Sequence, residues 1–128
     1  MTLSISTIIL TLGLQVIFTD TPKLGVCGTY YSSKKVISLT LSDWCDPNIS
    51  LYHETGHALF MKDKEVKELI AKYPSPKFYY STDYPTDELK LQESVADYFV
   101  QYVTDKNFGK KFPKIKELFD LKLSQLNK

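Results

Sequence analysis

The stretch Asp46-Pro47-Asn48-Ile49-Ser50-Leu51-Tyr52-His53-Glu54-Thr55-Gly56-His57-Ala58-Leu59-Phe60 decides how the rest of the chain is read. Asp46 suits a helix N-cap, and Pro47 suits the first helical position, where the missing N–H has no intrahelical partner to lose. From there Ile49, Tyr52, His53, Gly56, His57 and Phe60 recur with the 3.6-residue period and form one helical stripe. The chain has only 2 histidines, and both lie on it. Four residues apart on a helix, they face the same way one turn apart. Their stripe neighbours Ile49 and Phe60 demand burial, where unpaired polar groups would be costly.

His53-Glu54-Thr55-Gly56-His57 is thus an H-E-x-x-H motif with a geometric meaning. Two imidazoles so placed bind one Zn2+ at about 2.0 to 2.1 Å, and Glu54 reaches a metal-activated water as its general base. A catalytic zinc takes a third protein ligand and leaves a fourth position open. Glu93 is the preferred candidate. In Leu91-Gln92-Glu93-Ser94-Val95-Ala96-Asp97 it shares a helix face with Leu89, Ala96 and Val100, and a carboxylate on a buried stripe needs a cation. Asp97 lies one turn further on the same face and is expected to accept the free ring N–H of His53, fixing that tautomer. Asp63, six residues after His57, is the rival ligand. The sharp turn such an arrangement uses needs a glycine three residues after the second histidine, and Phe60 stands there.

Outward from the motif helix, Leu14 to Phe18 reads as a buried strand entered by a short helix or extended lead-in. Gly25 to Tyr31 reads as glycine-punctuated extended chain, Ser32 to Lys35 as a turn, and Val36 to Leu41 as a further strand. Helices are expected over Lys64 to Lys72, Thr86 to Thr104 and Pro113 to about Leu126, the second of these central and well buried. Pro74 to Pro85, rich in tyrosine and proline, is a long loop of the kind that often carries function.

With 128 residues the chain can bury one adequate core, so a single domain over 1–128 is expected. Its 16 basic residues are all lysine and nearly balance 15 acidic ones. That balance implies neither nucleic acid nor an anionic membrane as partner, and arginine forks for phosphate are absent. The apolar opening segment has no preceding basic residue, carries polar interruptions and is short against the roughly 20 residues a bilayer needs. A membrane span is not expected, and a cytoplasmic location is slightly favoured over secretion. The 2 cysteines, Cys27 and Cys45, leave a disulfide and two buried thiols both open.

His53-Glu54-Thr55-Gly56-His57-Ala58-Leu59, followed by Glu93-Ser94-Val95-Ala96-Asp97-Tyr98-Phe99, resembles the gluzincin pattern of zinc metallopeptidases. The strand before the motif helix and the aromatic residues after Glu93 resemble the lethal factor catalytic domain, the Pro-Pro endopeptidases and the minigluzincins. The resemblance implies an α+β, zincin-like fold, with a small mixed sheet of about three strands on an active-site helix, a glutamate helix behind it and a C-terminal helix. It implies Val36 to Leu41 as the edge strand that pairs with an extended peptide. It also implies a tyrosine before the zinc glutamate that steadies the oxyanion, here Tyr84, with Tyr80 and Tyr79 behind it.

The expected activity is therefore zinc-dependent endopeptidase cleavage of a peptide or protein substrate by a monomer, with a regulatory peptidase acting on a single protein target as a variant of that reading. The alternative is a catalytically silent, zinc-stabilised module that binds a peptide or regulates a partner. Glu54 speaks against the alternative, since structural coordination has no use for a base.

Overall fold

Residues 4–20, 27–74 and 86–127 are described by the computed structural model. Tyr79, Tyr80 and Tyr84, with most of the loop expected at Pro74 to Pro85, lie outside the described residues, as do Gly25 and Val26. Ser4 caps the first helix, α1 (Ile5–Leu12), by accepting a hydrogen bond from the Thr7 N–H. Three strands follow: β1 (Gln15–Thr19), β2 (Gly28–Tyr31) and β3 (Val36–Thr40). They form one sheet in the order β1-β3-β2. β1 is parallel to β3, with Val16 opposite Ile37 and Phe18 opposite Leu39. β2 is antiparallel to β3, with Gly28 opposite Leu39 and Tyr30 opposite Ile37.

This order corrects two expectations. Val36 to Leu41 was to be the edge strand, yet β3 is central, with Ile37 and Leu39 buried. A strand bonded on both sides has no backbone groups left for a peptide, so β2 takes the edge position next to α2. Leu14 to Phe18 was to be a buried strand, yet β1 is the opposite edge and leaves Ile17 and Phe18 exposed. A short apolar run does not distinguish an edge strand from a central one.

The helices follow their capping signals. Asp46 accepts hydrogen bonds from the N–H groups of Asn48 and Ile49 and opens α2 (Pro47–Phe60). Asp63 accepts from the Val66 N–H and opens α3 (Lys64–Ile70), and Thr86 accepts from the Leu89 N–H and opens α4 (Asp87–Thr104). A single turn, α5 (Phe108–Lys111), was not foreseen. It precedes α6 (Pro113–Ser124), and a 3-10 turn over Gln125–Asn127 takes up the last part of the helix expected there. The chain is thus α+β, with three strands and six α-helices among the described residues. None of these helices is long and apolar enough to cross a membrane.

The core anchors α2. Phe60, at its C-terminal end, stacks on Phe119 of α6 at 5.0 Å between ring centroids and meets Phe99 of α4 edge-on at 5.8 Å. Phe99 in turn meets Phe119 edge-on at 5.9 Å. Aromatic triplets of this kind bury large areas with fixed geometry and hold three helices in register. α4 is buried from Ser94 to Val100, as its all-round apolar pattern predicts, although Leu89 near its start is exposed. Cys27 and Cys45 form a disulfide, with 5.5 Å between their Cα atoms. It ties the chain entering β2 to the loop entering α2.

Candidate metal centre

Because α2 and α4 pack closely, residues far apart in sequence share one point. Gly56 makes the approach possible: a Cβ there would lie 3.1 Å from the Ala96 Cα and 3.1 Å from the Phe99 Cβ. His53, three residues before this contact, and His57, directly after it, project toward Glu93. His53 Nε2 lies 2.8 Å from Glu93 Oε2, and His57 Nε2 lies 2.9 Å from Glu93 Oε1. The imidazole rings stand edge-on to each other, with centroids 4.9 Å apart. The candidate ligand atoms of all three side chains lie within 4.8 Å of one another.

The electrostatics suit a cation. Burial works to raise the Glu93 carboxyl, but the hydrogen bonds and charges of His53 and His57 outweigh it and hold the pKa at about 2. An ionised carboxylate only accepts, so both Nε2 atoms donate to it. Burial works to lower the pKa of His53, and the Glu93 hydrogen bond with the charges of Glu54, Glu93 and Asp97 turns the balance upward. Three groups that are costly to bury singly are thus gathered around one position. Two imidazole nitrogens and a carboxylate fit a divalent ion of the zinc kind, and several first-row metals accept the same donors.

Asp63, the rival third ligand, does not join this cluster. It caps α3 and pairs with Lys122 of α6 at 3.2 Å. Asp97 is buried near His53 and acts on it through its charge, while its carboxylate accepts a hydrogen bond from Gln101. Burial raises the Asp97 carboxyl, with His53 and Gln101 opposing. In place of the expected hydrogen bond from His53 to Asp97, the two act on each other through charge.

Glu54 lies against the sheet edge and within electrostatic reach of His53, His57 and Glu93. It is 7% exposed and faces Gly28, where a Cβ would lie 3.2 Å from the Glu54 Cγ and 3.3 Å from its Oε2. The Tyr30 N–H donates to the carboxylate. Burial raises the Glu54 carboxyl, against the opposing charges of His53 and His57 and that backbone hydrogen bond. The contact with β2 was missed in the sequence, although a glycine inside a strand is a known mark of close approach. Gly56 was placed on the helix stripe, but its part in the helix crossing depends on Ala96 and Phe99, forty residues on. Set against protein-family models, curated proteins and solved structures, the chain matches none.

Proposed function

We propose that this chain is a zinc-dependent endopeptidase of the gluzincin type. The observation that carries the reading is the meeting of His53, His57 and Glu93 from two helices, with a buried Glu54 beside the edge strand β2. His53, His57 and Glu93 would hold the ion. Bound zinc supplies a Lewis acid that polarises a peptide carbonyl and acidifies water. Glu54 takes the proton of the attacking water and returns it to the leaving amine. Its raised pKa brings it closer to the working range of a general base.

The outward backbone groups of β2, apart from the Tyr30 N–H that Glu54 holds, pair with the substrate in extended form, which lays a peptide bond beside Glu54. Asp97 contributes negative charge behind His53 and keeps that imidazole electron-rich. Tyr84 is retained as the donor to the oxyanion on the strength of the resemblance alone. The Cys27–Cys45 disulfide supports an oxidising compartment rather than the cytoplasm favoured from the sequence.

Elemental analysis of the purified protein, paired with a Glu54→Gln variant, tests the reading. Wild type is expected to carry one equivalent of zinc and to cut a diverse peptide library. The variant should keep the metal and lose cleavage by about a hundredfold or more. Cleavage retained by the variant contradicts the assignment, and a silent zinc module is the outcome if neither protein cuts.

A further inference from the structure

The face of α2 that carries Glu54 continues past the metal centre. Ala58 stands one turn further on this face, about 6 Å along the axis, and Lys62 follows just past the end of the helix. Together with Tyr30 and Ser32 at the end of β2 and Lys35 in the β2–β3 turn, they wall a groove of about 440 Å³, with Asp63 at its rim. Two of these side chains are cations. Neither Lys35 nor Lys62 is paired with a carboxylate among the described residues.

The carboxylate at the rim, Asp63, accepts from the Val66 N–H at 3.1 Å and pairs at 3.2 Å with Lys122, a lysine it shares with Glu65 at 2.9 Å. Lys35 also holds a left-handed backbone, with φ 53°. Glycine or asparagine meets that turn at lower cost, so the lysine brings a charge to a position its backbone does not favour.

We infer that this groove is a substrate subsite selecting an acidic side chain, aspartate or glutamate, on the amino side of the cleaved bond. The inference rests on the peptidase reading above. β2 runs from Gly28, beside Glu54, toward Ser32, beside the groove, so an antiparallel peptide brings its upstream residues there. An extended chain advances about 3.3 Å per residue, so a groove that begins about 6 Å along the axis meets the peptide from roughly the second residue before the bond.

The test uses the full, disulfide-bonded, zinc-loaded chain. Short peptides on one alanine-serine scaffold carry a single Glu, Ala or Lys at each position in turn. Cleavage is read by mass spectrometry, and binding of the same labelled peptides to the Glu54→Gln variant is read by fluorescence anisotropy. Glu upstream of the bond should raise kcat/KM about five- to tenfold over Ala, an advantage that shrinks in about 0.5 M salt. Lys35→Gln with Lys62→Gln should erase the preference, and Lys35→Glu with Lys62→Glu should turn it toward Lys. Both positions are exposed, so these variants should fold. Equal handling of Glu, Ala and Lys peptides in cleavage and in binding overturns the subsite and leaves the peptidase reading standing. Acid-selective binding that depends on the two lysines, without any cleavage, upholds the groove and overturns the peptidase.

Discussion

Gly56 of α2 and Ala96 of α4 meet so closely that a Cβ on the glycine would stand 3.1 Å from the alanine Cα. On an exposed helix, alanine is favoured over glycine by about 1 kcal/mol. Here overpacking, typically about 1 to 3 kcal/mol, should win. Gly56→Ala is expected to lower unfolding stability by about 1 kcal/mol net and to weaken zinc binding by moving His53 and His57 away from Glu93. Urea denaturation and a competitive zinc titration check both, and a stabilised variant with unchanged affinity would show that the helices have room to spare.

Proton linkage at the same cluster sets the pH dependence of protein stripped of metal. The folded pKa of Glu93 is depressed to about 2 from 4.5, so its contribution is present above about pH 4.5 and is lost as pH falls toward 2. His53 is raised above 6.5, so its contribution is present below pH 6.5 and is lost as pH rises through the folded value. Glu54 and Asp97, both raised by burial, also favour the folded state less once they ionise. Stability in EDTA should therefore climb from pH 2 to about 4.5 and decline toward alkaline pH. Added zinc should reverse the alkaline decline, because ligand nitrogens must shed their protons to bind it. Denaturation midpoints across pH, with and without zinc, read this out, and a profile indifferent to zinc at pH 8 would contradict it.

Gly28 offers a way to disturb Glu54 without touching the metal ligands. A Cβ at Gly28 would lie 3.2 Å from the Glu54 Cγ and 3.5 Å from the Leu39 Cδ2. Gly28→Ala should leave the zinc content intact and cut kcat by about tenfold, since displacing a reacting group by a fraction of an ångström is costly to rate. Paired metal analysis and steady-state kinetics decide it. Loss of zinc in step with activity would place the damage elsewhere.

The disulfide should matter to stability and to β2 in particular. Cys27 and Cys45 close a loop with a sequence separation of 18, for which chain entropy gives about 3 kcal/mol. Cys27→Ser with Cys45→Ser should lose roughly that amount, and reductant should mimic it in the wild type. Hydrogen exchange at Gly28 to Tyr31 should quicken more than at α4, because the bridge holds that strand against α2.

Much of the centre was legible in the sequence. The helical period alone puts His53 and His57 on one side of α2, because residues four apart on a helix can point nowhere else. Asp46 marked the start of α2 by its capping chemistry, and Glu93 was picked out as an acid on an apolar stripe. Local periodicity, however, carries no information about which strand pairs with which. The central place of β3, the edge position of β2 and the exposure of Phe18 are set by hydrogen bonds between segments distant in sequence. The same holds for Asp63, whose spacing suited a ligand until Lys122, from the last helix, was found beside it. What the chain's order of residues settled by itself is the set of donors on each helix. Only the packing of α2 on α4 through Gly56, and of Glu54 against Gly28, decided that these donors share one point with the Glu54 carboxylate buried against the edge strand β2, because such contacts depend on backbone distances that no single segment can specify.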